Sequence, residues 1–96
     1  MSEPLTKTDE VLEFIHEMNE EALKADGLEE AVIGYVERFG LAPLVLLDKE
    51  KCLDIFQKRD GMTREEAIEF FEYNVIGAWM GDGTPCFATL IKDMPI

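Results

Sequence analysis

The longest apolar run in the chain is Leu41 to Leu47, and it includes Pro43. A run this short is far from the roughly 20 residues that a membrane-spanning helix needs. Its end, Pro43 to Leu47 (PLVLL), reads instead as a strand. Just before it, Ala31 to Phe39 (AVIGYVERF) is rich in β-branched and aromatic residues, with Gly40 to Ala42 between the two. The pair reads as a β-hairpin. A chain of 96 residues makes one domain, residues 1–96, that buries only about 60 to 70% of its unfolded surface. With 47% apolar residues it has material for one thin core.

Helices are expected on both sides of the hairpin. From Thr8 to Lys24 the residues Val11, Phe14, Ile15, Met18 and Ala22 recur at helical spacing and form one apolar face. Asp26-Gly27 is expected to stop this helix, which spans residues 8–25, and Ala25 to Leu28 is the nearest approach to a linker. Asp48 is placed to cap a second helix from Lys49 to Arg59, with Cys52, Leu53 and Phe56 inward and Asp60-Gly61 at its end. A third begins at a capping box, Thr63 with Glu66, and carries an inward stripe of Ala67, Phe70, Phe71, Asn74, Val75 and Ala78. It frays between Gly77 and Gly81. Gly81-Asp82-Gly83 supplies a turn with positive φ, and Thr84 to Ile91 reads as a third strand. The expected fold is α+β, a small three-stranded antiparallel sheet with helices on one face, in the order α-β-β-α-α-β. Residues 31–91 form the core and 8–25 an acidic helix attached to it.

Charge narrows the function. Twenty-one acids against nine bases give −12, and residues 1–30 alone hold ten acids and two bases. Such a chain repels nucleic-acid phosphate and anionic lipid and favours basic partners, so direct nucleic-acid or membrane binding is not expected. Two cysteines, Cys52 and Cys86, suit neither a disulfide framework nor a CxxC pair, and the first residues lack a signal peptide's apolar core. A cytoplasmic setting is expected.

Catalytic and metal chemistry find few residues. Glu13 and His16 have Glu-x-x-His spacing, but a di-metal site needs that element twice and the chain has one histidine. Ser2, the only serine, has no nucleophile-elbow context, and both cysteines fall on apolar faces. Gly77, Gly81 and Gly83 lack the lysine of a phosphate loop, and Asp82 sits among them. No enzyme, metal or cofactor is expected.

Two features remain. Asp9, Glu10, Glu13, Glu17, Glu20 and Glu21 fall within an arc of roughly 120° on the first helix, repeating about every 5 to 6 Å along its axis. That rise is similar to the spacing of phosphates, so the array could occupy a basic groove made for nucleic acid. The alternative is a solvated acidic face. The other feature is the cluster Tyr73, Trp79 and Met80, which suits an interface or the closing of a small core, with Trp79 at the end of the sheet. Asn74, on the inward stripe, should bond a buried backbone group.

Arg59-Asp60-Gly61-Met62-Thr63, then Glu65-Glu66-Ala67, Phe71-Glu72-Tyr73-Asn74, Gly77-Ala78-Trp79 and Gly81-Asp82-Gly83-Thr84-Pro85 resemble a family of small uncharacterised proteins of bacteriophages and prophages. The likeness covers about residues 31 to 87. It implies a phage setting and one compact module, with no assigned reaction, cofactor or catalytic residue. The expected function is a non-enzymatic accessory protein acting in the host bacterium. It would meet a basic surface of a host protein through Glu10, Glu13, Glu17, Glu20, Glu21, Tyr73 and Trp79. The alternative is a self-associating module, a homodimer joined through Met18 and its neighbours.

Overall fold

The computed structural model describes residues 7–96, so Ser2 lies outside the described residues. The hairpin forms where the apolar run predicts it, from β1 (Val32–Arg38) and β2 (Leu41–Asp48), paired antiparallel. Three helices, α1 (Lys7–Met18), α2 (Lys49–Asp60) and α3 (Arg64–Asn74), and a short β3 (Cys86–Ala88) complete the main elements. Single 3-10 turns lie at Glu29–Ala31 and Ile91–Asp93. The fold is α+β with a three-stranded sheet in the order β1-β2-β3.

The local signals explain the helix boundaries. Asp48 accepts from the Glu50 amide at 3.0 Å to start α2, and Gly61, at φ 69°, ends it in the left-handed conformation that glycine adopts without strain. At α3 the Glu66 amide donates to the Thr63 hydroxyl and the Thr63 amide to the Glu66 carboxylate, satisfying two otherwise unpaired donors.

Residues opposite one another in the sheet share a face. Val32 opposite Leu47, Tyr35 opposite Val45, and Phe87 beside Leu47 therefore lie on one side. The helices cover that side. Phe14 of α1 packs on Tyr35, Phe71 of α3 meets Phe87 edge-on at 5.2 Å, and α2 contributes Cys52, Leu53 and Phe56 to the same cluster. The opposite face carries Gly34, Val36, Leu44, Leu46 and Cys86.

Several expectations are corrected. The sheet is mixed, because β3 runs parallel to β2. A parallel neighbour needs a long crossover, and residues 49–85 supply it. Residues 82–85 lie beside Leu41, Ala42 and Leu44, so the chain enters β3 from the end at which it enters β2. The third strand also spans only Cys86–Ala88 rather than residues 84–91, since the chain turns into the 3-10 turn at Ile91.

The first helix ends at Met18, not near residue 25. Asn19 ends it: its side-chain oxygen accepts from the Glu21 amide at 3.1 Å and its amide group donates to the Pro43 carbonyl at 3.0 Å. An asparagine that bonds locally competes with helical continuation. The third helix likewise ends at Asn74, before the glycines expected to fray it. Asn74 is exposed, with no side-chain hydrogen bond among the described residues, and Ala78 is exposed as well.

Candidate functional site

The acidic segment is docked on the domain. Ile15 and Ala22 are fully buried, and Val11 and Leu12 pack against the core. Phe14 and Met18, expected inward, stay partly exposed at the rim of this contact. Beyond Met18 the chain is fixed by the Leu23 amide donating to the Gly83 carbonyl at 2.9 Å and by His16, whose Nε2 lies 2.7 Å from the Ala22 carbonyl oxygen. Gly83 is needed here for closeness rather than for positive φ. A Cβ on it would lie 1.9 Å from the Glu21 carbonyl oxygen, whereas the positive φ of that turn belongs to Gly81 at 97°.

This docking decides how the carboxylates stand. Glu10, Glu13 and Glu17 are exposed on α1, and Glu20 and Glu21 are exposed in the turn that follows, so the stripe is helical only in its first part. Six ion pairs occur among the described residues, using Asp26, Glu29, Glu50, Asp60, Glu72 and Asp93. None involves Glu10, Glu13, Glu17, Glu20 or Glu21, so among the described residues these five carboxylates make no ion pair.

Trp79 is 73% exposed, Tyr73 78% and Met80 61%, so the expected closure of the core by Trp79 does not occur. The reason is the early end of α3: residues 75–85 leave the helix surface as a loop. Thr84 pins that loop, its hydroxyl donating to the Gly81 carbonyl at 2.6 Å and accepting from the Met80 amide at 2.8 Å. Trp79 then lines an open groove of about 770 Å³ with Ile76, Asp82, Arg38, Leu44 and Glu21. The fold thus brings together Glu21 and Trp79, which lie far apart in the chain. Tyr73 lies on a different groove, with Met62, Glu66 and Phe70.

Several residues of this surface were invisible to sequence reasoning. Arg38 and Ile76 carried no distinguishing pattern, and Asn19 lay inside an apparently continuous helix. Thr84 was marked only by its place after Gly81-Asp82-Gly83.

For chemistry the arrangement offers little to a reacting group. Burial, reinforced by the nearby Asp48 carboxylate, pushes the Cys52 thiol up to about 12, which leaves it protonated and unreactive at neutral pH. Among the described residues no three His, Cys, Asp or Glu side chains converge as metal ligands, and no helix is long and apolar enough to cross a membrane. What the surface offers is a row of free carboxylates leading to an exposed tryptophan. No family model matches the chain, and no curated protein or solved structure does either.

Proposed function

We propose that this protein is a non-enzymatic binding module whose α1 carboxylates and Trp79 groove hold a basic surface of another protein. One observation carries the reading: Glu10, Glu13, Glu17, Glu20 and Glu21 are all exposed and make no ion pair among the described residues, and Glu21 lines the groove that Trp79 lines. Uncompensated charge steers a basic partner, and an exposed tryptophan in a groove supplies the apolar anchor that charge alone lacks. The partner class we propose is a nucleic-acid or defence enzyme of a host bacterium, whose phosphate-binding groove the carboxylates would fill. The phage setting belongs to this proposal and rests on the sequence resemblance; the cytoplasmic location belongs to it too and rests on the two cysteines, which suit no disulfide framework.

The experiment is a pull-down from bacterial lysate at low and raised salt, with the wild-type protein and with Glu13→Lys, Glu17→Lys and Glu20→Lys combined. The expected result is one basic nucleic-acid-binding protein held by the wild type at low salt, released as salt rises, and absent from the variant. The same proteins captured by both would refute the acidic-surface reading. A second reading, self-association, is favoured by the exposure of Phe14 and Met18 beside the docked face of α1. It requires a mass that grows with concentration, and a strictly monomeric protein would remove it.

A further inference from the structure

The outer surface of α3 is a different kind of site from the α1 face. Met62, Glu66, Phe70 and Tyr73 recur at three- and four-residue spacing and line a groove along the helix. At Phe70 and Asn74 this groove joins a hollow of about 370 Å³, floored by Leu28, Phe56 and Phe87 and walled by Met80 and Pro85. Phe70 stacks edge-on against Phe56 at 5.0 Å yet remains partly exposed, and Tyr73 and Met80 stand mostly clear. Together they form a partly apolar channel with carboxylates at its rim.

Charge selects its occupant. No lysine or arginine occurs between Arg64 and Lys92, whereas Glu65, Glu66, Glu69, Glu72 and Asp82 fall in that interval. Glu66 and Glu69 stand at the rim of the groove. The two bases that reach the hollow, Lys24 and Arg59, are already paired, Lys24 with Asp26 and Glu29, Arg59 with Asp60. The charge left open at this site is therefore negative. A second copy of the chain, at −12, is repelled from it, and so is any nucleic acid or anionic membrane.

We infer that this groove docks an amphipathic helix of a partner protein, its apolar side in the channel and its lysines or arginines against Glu66, Glu69 and the Tyr73 ring. The channel follows the 11 residues of α3, about 16 Å, which matches three turns of a docked helix with anchors at i, i+3 or i+4, and i+7. A cation over an aromatic face adds attraction, which favours the basic helix over a purely apolar one. This site uses none of the α1 acids and stands independently of the reading above.

The test uses the full chain, labelled for amide NMR, and a synthetic leucine–lysine amphipathic helix as probe, with its leucine–glutamate counterpart as control. The expected shifts centre on Phe70, Tyr73, Asn74 and Met80. Tyr73→Ala with Met80→Ala should weaken the lysine peptide about tenfold or more, the loss of a central anchor. Both side chains are exposed, so a preserved amide spectrum will show that this variant still folds. Glu30→Lys with Glu37→Lys, at exposed acids outside the groove, should leave that affinity within about twofold, since separate sites act independently. The proposal falls if shifts are confined to α1, if the charge reversal weakens binding as much as the groove variant does, or if the glutamate peptide binds equally well. No binding, or filling of the groove by a second copy as concentration rises, would also overturn it.

Discussion

Gly83 holds more of this fold together than its size suggests. Its missing side chain lets the Glu21 carbonyl approach, and the Leu23 amide then donates to the Gly83 carbonyl oxygen, which ties the acidic segment to the loop before β3. Gly83→Ala should therefore cost about 2 kcal/mol or more, as overpacking against backbone does, and should remove protection of the Leu23 amide in hydrogen exchange. An unchanged urea midpoint would show that the contact yields freely. Cys52 makes a prediction of a different kind. Its folded-state pKa of about 12 lies above the ordinary 9.0, so from pH 9.0 upward the unfolded chain releases a proton that the folded chain keeps. Stability should fall over that range and be unaffected by this group below it. Cys52→Ala, though less stable overall, should show a shallower decline, measured as urea midpoints against pH. Neither effect was legible in sequence. In the sequence Gly83 marks only a turn, because its close approach depends on Glu21 in a distant segment, and Cys52 marks only an inward-facing position.

At the level of elements, what the sequence showed well were the signals carried by near neighbours. The Thr63–Glu66 capping box, the Asp48 cap and the Gly61 stop all occur where expected, because each is a bond or a dihedral settled within a few residues. What it showed poorly were the ends decided by distant partners. Apolar spacing continues past Met18 to Ala22, yet α1 stops because Asn19 reaches the Pro43 carbonyl in β2. Asn19→Ala should lose both side-chain bonds at this end and about 1 to 2 kcal/mol of stability, read from chemical denaturation, with little change in helix content. A gain in stability together with a longer helix would mean that Asn19 merely interrupts α1. The direction of β3 was likewise beyond sequence, since its three residues say nothing of the end from which they enter the sheet. Trp79 and Tyr73 were singled out by residue type alone. Tyr73 is exposed on α3 itself and Trp79 in the loop that follows its early end, and the two lie on separate grooves.

For the molecule as a whole, packing and charge are divided. The helices bury one face of the sheet, and Glu10, Glu13, Glu17, Glu20 and Glu21, which make no ion pair among the described residues, lie on the outer side of α1 and in the turn after it. A chain that carries −12 and leaves this group unpaired folds with repulsion that its own bases do not offset. A basic partner would relieve that repulsion, and Trp79 at the end of the row would give the contact an apolar anchor. The most direct test is the affinity of the captured basic partner for the wild type, the Glu13, Glu17 and Glu20 charge reversal, and Trp79→Ala, each at low and raised salt. The account predicts weakening by about tenfold or more in both variants, with the salt dependence flattened only in the charge reversal. Equal affinity for all three proteins, with equal salt dependence, would contradict it.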